Sequence, residues 1–240
     1  MSTGGIDGFE RRLRRREALL ALGGLGAGAL GLPLAGGARA FGRVASVDGQ
    51  ATTAASCVLT REVTEGPYWI ANSLTRRNIT EGHPGIPPAL HFTVVHATMC
   101  EPISGADVEV WHADARGVYS GVGPASASSR FLRGHQRTDA AGLAVFRTIY
   151  PGWYRGRTPH IHMKVHSGGD VVHTGQVFFR DATSDAVYRT SAYRSRGTPD
   201  TTNGRDGIYA QAGGSAATLK LTKRSDGAGY VGAITLGVHA

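Results

Sequence analysis

Charge is scarce in this chain: only 18% of its 240 residues are Asp, Glu, Lys or Arg, which excludes a charge-laced coiled coil. Hydrophobic residues reach 41%, too many for a disordered tail. Cysteine is scarcer still. Only Cys57 and Cys100 are present, and their spacing rules out a CxxC redox pair or a cysteine-based zinc site. Sustained helical periodicity is also missing: no stretch after residue 57 holds it for three turns, although Asp185–Thr190 allows a short helix. No internal repeat and no second linker follow that residue. What the chain has instead is 35 glycines and 10 prolines, a composition that favours short strands joined by turns.

The net charge of +8 points at first to an acidic partner such as nucleic acid. Its placement removes that reading. Residues 11–16 are RRLRRR, Ala18 to Ala38 carry no charge, and Ala38-Arg39-Ala40 follows. A basic start, an apolar stretch and an A-x-A site are the parts of a secretory signal peptide. Arg15 and Arg16, before Glu17, Ala18, Leu19 and Leu20, look like a twin-arginine signal. A retained membrane anchor is the alternative, but seven glycines and Pro33 interrupt the apolar stretch. Residues 1–40 hold six arginines against Asp7, Glu10 and Glu17, or +3, so +5 is left for a mature chain without any basic run. The expectation is therefore a secreted protein with no nucleic-acid partner and no stable membrane span once the signal is removed. Outside the cytoplasm, Cys57 and Cys100 are expected to pair as a disulfide, the alternative being two buried thiols.

Residues 41–56 are small and polar and look like a flexible leader. From Cys57 onward, alternating segments recur at His91–Met99, Ala106–Trp111, Leu143–Tyr150, His160–Val165, Val171–Phe179, Thr218–Thr222 and Tyr230–Val238. Gly, Pro, Asp and Ser clusters separate them. The expected fold is all-β: one β-sandwich domain over residues 57–240, with long loops.

The segment His160-Ile161-His162-Met163-Lys164-Val165 carries the first chemical signal. In a strand, alternate residues share a face, so Ile161, Met163 and Val165 would enter the core and the two histidines would project together. Two imidazoles so placed can chelate one metal ion, although two solvent-facing histidines would read the same way. Upstream lie Tyr150-Pro151-Gly152-Trp153-Tyr154 and the run Val108–Tyr119, VEVWHADARGVY. A phenol is a poor ligand while protonated, but a trivalent cation favours the phenolate. Ferric iron suits phenolate with imidazole, whereas structural zinc usually takes cysteine. Taken singly, Tyr119 and Tyr154 are equally compatible with strand-end aromatics.

The combination is more specific. Thr64-Glu65-Gly66-Pro67-Tyr68, WHADARGVYSG, FLRGHQRTDAAGLAVFRTIYPGWY, RTPHIHMKVH and Thr174-Gly175-Gln176-Val177-Phe178-Phe179 occur in that order. Residues 57–240 thereby resemble the intradiol ring-cleavage dioxygenases, the catechol and protocatechuate dioxygenase family, and most closely its secreted members. The resemblance implies a mononuclear non-haem Fe(III) held by Tyr119, Tyr154, His160 and His162, with Tyr154 and His160 axial. It implies that Tyr154 also accepts a substrate proton and that Arg157 lies over the substrate ring, oriented by Gln176. Tyr68 and Trp153 fall where the family lines its pocket. The implied reaction takes a catechol-type diol and dioxygen to a cis,cis-muconate-type diacid, in extracellular breakdown of aromatic or lignin-derived compounds. Five residues separate Tyr154 from His160, fewer than in the protocatechuate enzymes, so the ring substituent stays open. A homo-oligomer is also left open.

Two rival readings stand beside this one. A secreted, non-catalytic β-sandwich could bind carbohydrate on Trp69, Trp111 and Trp153, or simply bind a metal. An Fe(II) or copper enzyme could use the same histidine pair, with Asp114 or Asp139 supplying a carboxylate.

Overall fold

Eight strands run through the described residues, which are 57, 59–227 and 229–240 of a computed structural model. They are β1 (Pro88–His96), β2 (Asp107–Trp111), β3 (Arg133–Arg137), β4 (Leu143–Arg147), β5 (His160–Ser167), β6 (Asp170–Phe178), β7 (Lys220–Lys223) and β8 (Tyr230–Val238). Two short helices, α1 (Asp181–Tyr188) and α2 (Gly207–Gln211), interrupt the strand order. The expected signal peptide and leader lie outside the described residues. Among the described residues, no helix is long and apolar enough to cross a membrane.

The strands form two four-stranded sheets, ordered β4-β1-β8-β7 and β3-β2-β5-β6. The second sheet is antiparallel throughout, while β1 and β8 pair in parallel. Their facing sides make the core. Leu90, Phe92 and Val94 of β1, with Ala144 and Phe146 of β4, meet Val108, Val110, Ile161, Met163 and Val165. Each large side chain fully buried there contributes roughly 1.5–3 kcal/mol. The β-sandwich expectation holds.

The other side of the second sheet positions the site. All of His160–Val165 is buried, on both faces. One face is the core; the other is roofed by irregular segments before β1, between β2 and β3, before β5 and after α1. His160 and His162 are 3% and 1% exposed as a result, so the solvent-facing alternative for the pair is excluded. Cys57 and Cys100 are joined, with their Cα atoms 5.3 Å apart. Closing that 43-residue separation is worth about 4 kcal/mol in the chain-entropy picture.

Sequence alternation finds seven of these strands and misses β3, RGHQR, because that segment lacks an apolar face. Two of its polar side chains, Arg133 and His135, are buried instead. Arg133 donates to the Ser120 and Tyr68 carbonyls, and His135 Nδ1 lies 3.0 Å from Asp107 Oδ2. Helix α1 begins four residues earlier than the short helix that the sequence allows.

Candidate metal centre

Four side chains converge on the roofed face of β5. His160 Nε2 lies 3.1 Å from His162 Nε2 and 3.0 Å from the Tyr154 hydroxyl. The Tyr119 ring stands 5.7 Å from Tyr154 and 5.9 Å from His162, centroid to centroid. Adjacent outward positions on β5 supply the histidines, as period-two geometry requires. The tyrosines come from two loops that press against each other. Asp114 holds one by accepting the backbone N–H groups of Arg116 and Val118 at 2.9 Å each. That loop turns at Gly117, where φ is +84° and a Cβ would meet the Trp153 carbonyl. Across the contact, a Cβ on Gly152 would meet the carbonyls of Asp114 and Ala115. Backbone cannot move aside as a flexible side chain can. Gly152→Ala is therefore expected to cost about 1–3 kcal/mol and to part Tyr119 from Tyr154. Thermal unfolding checks the first effect; metal content checks the second.

Hydrogen bonds fix which atoms face the centre. His160 Nδ1 lies 2.7 Å from the Thr158 carbonyl and must donate to it, so its Nε2 carries a lone pair. The Tyr154 hydroxyl, His162 Nε2 and Arg157 Nη1 (3.5 Å) all crowd that one acceptor. Beside it the Tyr119 hydroxyl and His162 Nδ1 are buried without partners. Whichever nitrogen of His162 carries the hydrogen, its Nδ1 stays unpartnered, and the crowding at His160 Nε2 is a poor arrangement for protons alone. It is what remains when a cation's ligands are brought together without the cation. The donor set, two imidazoles and two phenols, fits a hard trivalent metal.

Electrostatics agree. Burial, then the Arg157 charge, pushes His160 down to about 3, and burial with its His160 neighbour lowers His162 strongly. Both imidazoles are thus neutral and free to ligate. Burial raises Tyr119 and Tyr154, with Arg157 pulling Tyr154 the other way. Ionising these phenols therefore needs a strong positive charge in the centre.

Arg157 sits at the open side with Tyr154 and Tyr68, the half-buried members of the group. Its Nη2 donates to Gln176 Oε1 at 2.6 Å, and Gln176 Nε2 donates to the Thr64 carbonyl at 2.9 Å. Tyr68 stacks on Tyr119 at 4.5 Å and meets Tyr154 edge-on at 5.8 Å. Trp153 has partners of its own. Its indole donates to the Gly197 carbonyl and its ring lies under Arg196, because successive side chains in this irregular stretch diverge.

Asp206 is the residue that sequence reasoning misses. Its carboxylate accepts from Arg157 Nε at 2.8 Å and from the Thr158 N–H, and also caps α2 through the Ile208 and Tyr209 N–H groups. Burial alone would raise its pKa, but the Arg157 guanidinium and these N–H donors hold it below the usual carboxylate range. The only sequence signal was Asp before Gly-Ile-Tyr, which reads as a helix cap.

The rival carboxylates are occupied. Asp114 serves its own loop, and Asp139 accepts the Ala141 and Leu143 N–H groups in a turn. The tryptophans of the carbohydrate reading are dispersed: Trp111 is fully buried against His162, and Trp69 donates to Glu109 under Lys164. A separate trio able to hold a metal, Glu109, His135 and His166, contains none of the four expected ligands.

Comparison with known proteins bears on this geometry. The dioxygenase family Dioxygenase_C matches residues 64–187. An intradiol ring-cleavage dioxygenase from Tetranychus urticae is 35% identical, with a TM-score of 0.71 over 76% of this chain and 95% of that one. The dioxygenase domain of a carbohydrate-binding fusion from Streptomyces sp. SirexAA-E is 30% identical, with a TM-score of 0.57 over 76% and 99%. Catechol 1,2-dioxygenase 1 of Acinetobacter lwoffii is 36% identical over 96 residues, 38% of this chain but only 30% of that protein. With the family's motifs lying in a single β-sandwich, the chain belongs to the intradiol ring-cleavage dioxygenases.

Proposed function

We propose that the protein cleaves the ring of a catechol-type diol between its two hydroxyl-bearing carbons, with dioxygen, to a cis,cis-muconate-type diacid. One observation carries the reading: two imidazoles and two phenols converge, with Arg157 clamped beside them. Tyr119, Tyr154, His160 and His162 are the residues that would hold a single Fe(III). When bound, the iron supplies Lewis acidity and a template for the diol.

The chain's own part is proton handling and placement. A diol loses two phenolic protons on binding as a dianion. Tyr154, half-buried and hydrogen-bonded to His160, would ligate as its phenolate and is the group placed to take up one of them, the other leaving to solvent. The Arg157 guanidinium offers fixed positive charge where negative charge develops on the ring. Asp206 and Gln176 hold two edges of its guanidinium, leaving Nη1 turned towards His160. The half-buried Tyr68 ring, stacked on Tyr119, is an aromatic surface suited to an aromatic substrate. The signal-like N-terminus supports an exported protein acting on extracellular aromatics.

Purified protein loaded with iron is expected to be red-brown from phenolate-to-iron charge transfer. Catechol should shift that band and start oxygen uptake in equal molar ratio with diacid. A colourless protein that ignores a panel of catechols would overturn the proposal.

A further inference from the structure

Beyond that centre, the outward face of the same sheet carries a second polar cluster. Glu109 of β2 stands opposite His135 of β3, and His166 of β5 stands opposite Asp107. Their neighbours Val108, Val110 and Val165 point into the core, so these side chains share the other face. Glu109 Oε1 lies 3.5 Å from His135 Nε2, and Glu109 Oε2 lies 3.4 Å from His166 Nε2. One ligand atom from each residue falls within 4.8 Å of the others.

The hydrogen bonding is incomplete in an informative way. His135 is 8% exposed, and its Nδ1 is 3.0 Å from Asp107 Oδ2. A carboxylate only accepts, so Nδ1 holds the hydrogen and Nε2 keeps a bare lone pair in the neutral ring. That lone pair is buried without a hydrogen-bond partner and faces a carboxylate oxygen. Two acceptors facing each other call for a cation between them. Asp107 behind His135 has the carboxylate–histidine arrangement that orients metal-bound imidazoles. Glu109 is steadied in the same manner, accepting from Trp69 Nε1 at 3.2 Å and Asn72 Nδ2 at 3.0 Å. His166, with 23% of its side chain exposed, leaves a way in.

From this geometry we propose that Glu109, His135 and His166 bind one divalent transition-metal cation of the zinc type, distinct from the metal of the four-residue centre. Two imidazoles and one carboxylate suit such an ion. Calcium and magnesium prefer all-oxygen sites, and no phenol is present to favour ferric iron. Trp69 and Asn72 connect the cluster to the segment carrying Tyr68, so occupancy would brace that segment.

The test is a calorimetric titration of zinc chloride into the full-length, iron-loaded protein, with bound metals counted by elemental analysis. One zinc equivalent is expected, with iron content and visible band unchanged. Glu109→Gln and His166→Ala should each weaken zinc binding at least about tenfold. His160→Ala should leave the zinc equivalent in place whether or not iron is bound. The proposal is overturned by the absence of a zinc equivalent, which would mean that a proton on His135 fills the gap. Zinc binding undiminished in both variants, or iron content falling with Glu109→Gln, would overturn it equally.

Discussion

Arg157→Ala is expected to keep its iron and lose most of its turnover. The side chain supplies none of the four convergent donor atoms, so the phenol–imidazole set survives its removal. What disappears is a fixed positive charge held by Asp206 Oδ2 at 2.8 Å and Gln176 Oε1 at 2.6 Å. Removing one preorganised electrostatic group of this kind typically costs 10²–10³ in kcat, or roughly 3–4 kcal/mol. Lysine should not restore the rate, because a single ammonium cannot engage both partners and still face His160. Oxygen uptake under saturating catechol reads the loss, and the visible band with iron analysis shows that the metal stays. Wild-type turnover in Arg157→Ala would remove this residue from the reaction.

The same contrast between partners and position explains what the sequence could reveal. His160 and His162 were legible because a strand puts alternate residues on one face, and Ile161, Met163 and Val165 marked the other face as core. Tyr119 and Tyr154 were legible only as parts of longer motifs, since each alone reads as an ordinary aromatic. Strand β3 was not legible: Arg133 and His135 are buried by hydrogen bonding, which leaves no hydrophobic alternation to detect. Asp206 was hidden for a related reason. It lies 49 residues from Arg157, and nothing local distinguishes a carboxylate that orients an arginine from one that merely caps a helix. Trp153 was legible only by its motif position. Its neighbour Tyr154 joins the centre, but its own ring belongs to Arg196 and Gly197.

A second substitution tests the centre itself. His160 is the acceptor around which Tyr154, His162 and Arg157 gather, and Thr158 fixes its ring through Nδ1. His160→Ala should therefore abolish iron retention, colour and ring cleavage together. Thermal unfolding separates this from simple misfolding. A ligand that binds only the folded state stabilises it by about 2.7 kcal/mol at a hundredfold excess over Kd. For a domain of this size that raises Tm by roughly 5–10 °C. Wild-type protein should show that rise on iron loading, while His160→Ala should unfold cooperatively at a temperature indifferent to iron. The buried, neutral imidazole makes the contrast sharp: held down to about 3, it needs no deprotonation before ligating at neutral pH. A His160→Ala protein that still takes up one equivalent of iron, with the colour of the wild type, would exclude His160 as a ligand.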